Sequence, residues 1–227
     1  ALARLSGVAG LVPSVDWLLY SAVRKEALLT SQIEGTQATL ADLFDDEAGF
    51  APSNTDDVEE VSNYLRAFRL VQAELRDPAG LPLSVRLLCN AHRVLLDGAR
   101  GKGKQPGELR RSQNWIGGTR PSNARFVPPP PALVEDCMAQ LEQFIHGGQH
   151  GEHSLPVLVR AALAHVQFET IHPFLDGNGR LGRLLIVLML IDAGVLHQPL
   201  LYLSLFFKQH RSRYYELLDG VRQQGDW

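Results

Sequence analysis

His172-Pro173-Phe174-Leu175-Asp176-Gly177-Asn178-Gly179-Arg180-Leu181-Gly182-Arg183 gathers an imidazole, a carboxylate, two glycines around an amide and two guanidinium groups into one short segment, and the unbroken apolar run Leu184–Ile191 follows at once. A polar loop that opens into a buried helix is the arrangement this pattern predicts. Glycine takes up left-handed backbone conformations at little steric cost, so Gly177 and Gly179 on either side of Asn178 can turn successive N–H groups inward as an anion-binding nest. At a helix N-terminus, unpaired N–H groups and the helix dipole favour the same negative charge. Arg180 and Arg183 share one face of the first turn and present forked donors suited to phosphate oxygens. A polyphosphate is therefore the expected ligand. Asp176 is a hard oxygen ligand beside the nest, suited to a magnesium ion bridging the phosphates. His172 titrates near neutrality when unperturbed, which makes it the natural general base for an incoming hydroxyl. A zinc site fits less well, because neither His165 nor any cysteine lies within the usual close ligand spacing of His172.

The segment matches the Fic-domain signature, H-x-F-x-[D/E]-G-N-G-R-x-x-R, at every fixed position, and the chain resembles that family. The resemblance implies a mostly α fold, a Fic-type helical bundle with a β-hairpin flap. It also implies transfer of AMP from Mg-ATP to a hydroxyl side chain (Ser, Thr or Tyr) of a target protein, with self-modification. Carried over residue by residue, His172 would deprotonate the hydroxyl and Asp176 would coordinate Mg2+. Gly177, Asn178 and Gly179 would cradle the α- and β-phosphates of ATP with help from Arg180, and Arg183 would hold the γ-phosphate so that the α-phosphate is set for in-line attack.

Upstream, Val15, Leu18, Leu19, Ala22, Leu29 and Ile33 recur at helical spacing, so Ser14–Glu34 reads as a helix that Ser14 or Asp16 caps and Gly35 ends. Glu34 would then meet the negative end of the helix dipole, a position that calls for a compensating cation. Thr30-Ser31-Gln32-Ile33-Glu34-Gly35 resembles the family's inhibitory-helix pattern, [S/T]-x-x-x-E-[G/N]. That resemblance implies a Glu34–Arg183 pair blocking the γ-phosphate position, in the class that carries its inhibitor N-terminally (about 14–35). It leaves two other readings open: Glu34-dependent removal of AMP from a modified protein, and a non-catalytic nucleotide-binding regulatory module.

Further helices are expected over Thr36–Glu47, Asp56–Arg76, Ser84–Asp97, Ala132–His146, Leu155–Thr170 and Arg211–Gln223, while Leu200–Phe207 fits either helix or strand. Gly98–Gly107 reads as a mobile basic loop, and the crowding of His146, His150 and His153 as a solvated one. Trp115-Ile116 and Phe126-Val127 around a turn-rich tip predict two short strands of a hairpin, and Pro128–Pro131 can be neither helix interior nor central strand. By resemblance this hairpin (about 112–130) is the flap, and Phe126, Val127 and Pro128 would hold the target by backbone pairing. Tyr214 and Tyr215 are core or interface aromatics by composition; by resemblance they line the nucleoside pocket, Tyr215 being the better partner for adenine. Arg222 stands where some members of the family carry an asparagine.

A chain of 227 residues, 45% hydrophobic and 21% charged, is long enough for one large domain or two small ones. We expect an N-terminal helical section, 1–80, that serves the core rather than standing alone, and a catalytic core over 81–227. A net charge of −3 argues against a general nucleic-acid or membrane surface. Cys89 and Cys137 fall on apolar-periodic helices and read as buried thiols of a reducing compartment. No signal peptide is visible and Leu184–Ile191 is too short to span a bilayer, so the cytoplasm is the expected location. A start at Ala1 without Met reads as a trimmed chain. The expected partners are ATP and a hydroxyl-bearing target protein, with homo-oligomerisation open.

Overall fold

Twelve of the fifteen residues of the helix Asn178–Asp192 are buried, and a segment that is apolar on every side has to be enclosed rather than laid on a surface. The computed structural model describes residues 15–98, 101, 103–147 and 155–227. Among these the helices run α1 (Val15–Glu34), α2 (Leu40–Glu47), α3 (Thr55–Arg76), α4 (Val85–Leu95), α5 (Val134–His146), α6 (Val157–Ile171), α7 (Asn178–Asp192), α8 (Leu203–Gln209) and α9 (Arg211–Gln224). The fold is mostly α, as expected. α6 lies along α7, α5 backs α6, α3 and α4 pair and close the opposite side, and α1 crosses α3, α7 and α8. One contiguous core runs from Ala27 and Leu28 of α1 through Leu65, Leu88, Met138 and Phe168 to Leu196. Residues before and after position 80 thus share a single interior. Leu181, Leu184, Leu185, Leu188 and Leu190 of α7 are wholly inaccessible, each contributing about 1.5–3 kcal/mol by burial.

Local chemistry explains most element boundaries. Thr39 and Asp42 form a capping box, the Thr39 hydroxyl accepting from Asp42 N at 3.2 Å and the Asp42 carboxylate from Thr39 N at 2.8 Å, so α2 begins at Leu40 rather than Thr36. Asn54 caps α3 through Asp57 N, and Ser84 caps α4 through Leu87 N. Gly35 ends α1 at a φ of 110°. The ambiguous stretch Leu200–Phe207 resolves into an irregular lead-in, 200–202, and the start of α8. The Ser14 cap, part of the Gly98–Gly107 loop, and His150 and His153 lie outside the described residues.

The hairpin is slighter than two strands. Ile116 and Phe126 form a single antiparallel bridge, closed by Ile116 N to Phe126 O at 2.9 Å and Phe126 N to Ile116 O at 3.2 Å. Gly117 and Gly118 both take positive φ, and Pro121–Asn123 winds into a 3-10 turn. Beyond Phe126 the prolines have no N–H to continue a ladder. Cys89 and Cys137 are unpaired and half-buried rather than fully enclosed. None of the described helices is long and apolar enough to cross a membrane.

Gly182 sets the approach of α6 to α7: a Cβ there would stand 2.6 Å from Glu169 Oε1 and 3.1 Å from Phe168 Cδ1. Gly182→Ala is therefore expected to destabilise the fold by about 1–3 kcal/mol through overpacking, read as a lower urea midpoint with an unchanged slope. An unaltered midpoint would show that the two helices do not meet this closely.

Candidate active site

α6 ends where the loop begins. His172 is its C-cap and sits in the left-handed region, φ 49° and ψ 60°, a conformation costly for a side chain with a Cβ. Two residues from the flap side hold it there. Arg110, fully buried, donates from Nε to His172 O at 2.9 Å, and from Nη2 to Pro129 O at 2.5 Å and Ile171 O at 3.3 Å. Asn114 Nδ2 donates to His172 O at 3.1 Å and to Phe174 O at 3.0 Å. The imidazole Nδ1 lies 3.3 Å from Glu169 O. A carbonyl can only accept, so Nδ1 carries the proton and Nε2 offers its lone pair. Burial and the nearby Arg222 guanidinium push His172 down to about 4, leaving a neutral base at physiological pH.

The rest of the loop is clamped from within and from α4. Asn178 is buried and its amide bonds both backbone groups of Phe174, accepting at 2.9 Å and donating at 2.8 Å. That side chain shapes the loop and does not face a ligand, so any part it takes in an anion cradle is through its backbone. Gly177 supplies the left-handed N-cap of α7 at φ 76°, as expected, whereas Gly179 lies inside the helix and takes no positive φ, so the turn rests on one glycine and not two. His92 Nε2 contacts Asp176 O at 3.0 Å, while Gly107 N donates to its Nδ1 at 2.8 Å. Burial drives His92 down to about 4, so it is a neutral strut stacked on Phe174 at 3.8 Å between centroids.

Arg183 is spent on α1. Its side chain is 1% exposed; Nε donates to Thr30 Oγ1 at 2.7 Å, and Nη2 to Thr30 O at 3.0 Å and Glu34 Oε1 at 2.6 Å. Burial alone would raise the Glu34 carboxyl, but the charge and hydrogen bond of Arg183, with Arg180 and His172 behind it, hold it below its ordinary value. The same carboxylate lies against the nest, since a methyl group added at Gly179 would overlap it. Arg180 is also nearly buried, with Nη1 2.7 Å from Glu60 Oε1 of α3 and Nη2 3.8 Å from Asp176 Oδ1. The two arginines thus share a helix face but point at different partners.

Asp176 is 46% exposed at the mouth of the nest, its Oδ1 accepting the N–H of Gly177 at 2.6 Å. Among the described residues no group of three or more His, Cys, Asp or Glu could hold a metal ion. A half-exposed single carboxylate fits a magnesium ion that arrives with a polyphosphate and fills its sphere from phosphate and water; it does not fit a resident all-protein metal site.

The two tyrosines part company. Tyr214 is buried, its hydroxyl 2.8 Å from His165 Nε2 and its ring stacked on Phe207, so it belongs to the interior. Tyr215 is half-buried, with the Arg211 guanidinium 5.5 Å over its ring. On the flap, Phe126 is tied to Ile116 and Pro128 O accepts from Gln113. Val127 is exposed and makes no backbone hydrogen bond among the described residues. α9 steadies this edge: Asp219 pairs with Arg125, Gln223 donates to Arg125 O at 3.3 Å, and Arg222 stands 5.2 Å over the Phe126 ring.

Arg110, Asn114, Glu60 and His92 escaped the reading of the sequence because their partners are far away in the chain; Glu169, three residues before His172, and Gly182 belong to no motif the reading used. Two of these had a local signal. His92 falls on the apolar stripe of Leu88, Ala91 and Leu95, which marks a buried imidazole; Gly182 interrupts a run of bulky apolar residues, which marks a close approach.

Comparison with known proteins fits this geometry. The N-terminal region of the Fic/DOC family matches residues 1–72, and the Fic/DOC family domain matches residues 82–190. The chain belongs to the Fic/DOC family. It is 31% identical over 203 residues to "Protein adenylyltransferase Fic" of Drosophila ananassae, an alignment that takes in 87% of this chain and 36% of that protein. The chain therefore spans about a third of the length of this curated relative. Its fold is similar to that of a Fic family protein from Desulfovibrio desulfuricans G20 (TM-score 0.75, 23% identity, 99% of this chain and 65% of that one). It is also similar to a Fic domain containing signaling protein from Bacteroides thetaiotaomicron VPI-5482 (TM-score 0.70, 18% identity, 98% and 96%).

A neutral His172 has a measurable consequence for this Fic chain. Its folded value of about 4 lies below the ordinary histidine value of 6.5, so the residue contributes stability that is present above about pH 6.5 and lost as pH falls towards 4. In a 15N-detected titration the His172 ring is expected to remain neutral at pH 5.5. A midpoint near 6.5 would contradict the burial described.

Proposed function

We propose that this chain is the catalytic part of an autoinhibited protein adenylyltransferase, which transfers AMP from Mg-ATP to a Ser, Thr or Tyr hydroxyl of a target protein and modifies itself as well. The observation that carries this reading is the Glu34 carboxylate, bonded to Arg183 and lying against Gly179. An anion from the chain itself occupies the place prepared for the anion of a ligand.

In the proposed reaction the target hydroxyl approaches along the exposed flap edge at Val127. His172 Nε2 takes its proton as the oxygen attacks the α-phosphate, and pyrophosphate leaves. The N–H groups of Asn178 and Gly179 stabilise charge on the phosphates where the α7 dipole adds to them, and that of Gly177 would join them once released from Asp176 Oδ1. Asp176 would hold Mg2+, which supplies further charge neutralisation on the phosphate oxygens. Arg183, once parted from Glu34, would hold the γ-phosphate, and Tyr215 would flank the base. Glu34 acts as a brake: while it is bonded to Arg183, ATP cannot take up the geometry that in-line attack requires.

With ATP labelled at the α-phosphate, Glu34→Gly is expected to raise label on the protein at least about 10-fold over the parent, and Glu34→Gly/His172→Ala to abolish it. Thr30→Val removes one of the bonds to Arg183 but leaves Glu34, so a smaller rise, of about 2- to 5-fold, is expected. No label on Glu34→Gly, with ATP binding intact, would sink the transfer reading in favour of AMP removal or a purely regulatory nucleotide site.

A further inference from the structure

Glu169 belongs to none of the motifs above, yet it lies behind the catalytic imidazole with charged or titratable groups on every side. On its own helix, α6, His165 precedes it by one turn, and its backbone carbonyl faces His172 Nδ1 at 3.3 Å. Its carboxylate Oε2 is 3.7 Å from the same Nδ1, outside hydrogen-bond range but close enough for charge. From α9, Arg222 Nη2 donates to the Glu169 carbonyl at 2.8 Å and lies 3.9 Å from Oε2. From α7, Gly182 leaves open the space that Glu169 Oε1 and His165 Nδ1 both border, and neither atom has a hydrogen-bond partner among the described residues. Arg183 of α7, Glu34 of α1 and Tyr214 of α9 complete the surrounding set of titratable and charged groups.

We propose that Glu169 is a positioning residue for His172: its carbonyl fixes the imidazole tautomer, and its carboxylate, steadied by Arg222, is the counter-charge for the imidazolium formed during transfer. This rests on the transfer reading. In the step concerned, the hydroxyl O–H bond breaks, its proton goes to Nε2 and its electron pair to the α-phosphorus. The bond from the α-phosphorus to the bridging oxygen breaks, and pyrophosphate departs with that electron pair. Nδ1 keeps its proton, so the ring gains one positive charge in a half-buried place. Such a charge needs a nearby anion. Oε2 is close enough to provide it, and the missing side chain at Gly182 is what lets the carboxylate lie so near α7.

A pH dependence follows. Burial pushes Glu169 up to about 7, with Arg183 and Arg222 drawing it back. Below that value the carboxyl is protonated and the counter-charge is gone. The rate is therefore expected to rise on the alkaline side of the titration of His172 itself, through about pH 7 or somewhat below it once Glu34, whose charge helps hold the Glu169 carboxyl up, is removed.

The test compares self-labelling by Glu34→Gly with Glu34→Gly/Glu169→Gln at saturating α-labelled ATP from pH 5 to 9. Glutamine keeps the shape of glutamate, and a thermal melt checks the fold. The expected result is a loss of about 10- to 100-fold in rate, an unchanged ATP requirement for half-maximal rate, and disappearance of the alkaline-side rise seen with Glu34→Gly alone. A second variant, Arg222→Gln in the Glu34→Gly background, leaves the carboxylate without its nearest cation and should move that rise to higher pH. Equal rates and superimposable pH profiles for the first pair would overturn the proposal. Should Glu34→Gly attach no label, the transfer reading fails by itself, and 15N spectra of His172 decide the placement of Glu169 instead. Protonated Nδ1, with shifts that follow a midpoint near about 7 in the parent and lose it in Glu169→Gln, supports the placement. Protonated Nε2, or no such midpoint in the parent, overturns it.

Discussion

A guanidinium group sealed inside a protein has to be paired, because an isolated buried charge is too costly to keep. Arg183 meets that requirement with three bonds to one helix, to the hydroxyl and carbonyl of Thr30 and the carboxylate of Glu34. α1 is held across α7 by this pairing as well as by apolar packing. On the proposed reading the same guanidinium would hold a terminal phosphate, so the interaction that docks α1 and the one that would bind nucleotide would exclude one another. Regulation and stability would then draw on a single side chain.

The second requirement is a rigid reacting loop. His172 sits in a left-handed conformation that a residue with a side chain does not adopt freely. Arg110 and Asn114 hold its carbonyl, and Asn178 bridges Phe174 so that the loop closes on itself. His92 props Asp176 from α4. Each of these groups bonds backbone and not a side chain of the loop, which leaves the imidazole Nε2, the Asp176 carboxylate and the N-terminal N–H groups of α7 for a ligand. Scaffold and chemistry are thus divided between different residues of the same few turns.

Charges around the site are arranged in alternation. Glu34 faces Arg183, Glu60 faces Arg180, and Glu169 lies between His172 and Arg222. Two of these acids come from helices N-terminal to the signature segment by more than a hundred residues, and none was assigned a partner by spacing; only Glu34 was placed, through its resemblance to a motif. The hairpin shows the converse. Its position was legible from Trp115-Ile116 and Phe126-Val127, but its strength was not: positive φ at Gly117 and Gly118 and the prolines beyond Phe126 reduce it to a single bridge. Nor does anything local reveal that the Tyr214 hydroxyl, expected at the wall of a nucleoside pocket, reaches His165 on another helix.

What the sequence alone determined is local. Apolar periodicity laid down the helices, glycine and proline placed the turns, and the spacing from His172 to Arg183 brought a base, a nest and two cations to one helix N-terminus, because those distances run along a single stretch of backbone. Only the tertiary structure decided which way each of those groups is spent. Arg180 turns to Glu60, Asn178 inward to Phe174, and Arg183 to α1, while Arg110 comes up behind His172, and Arg222 behind Glu169, from sites that no spacing rule connects to them. The physical reason is that a buried charge or polar group takes the partner packing brings within about 3 Å, and packing is a property of the whole chain.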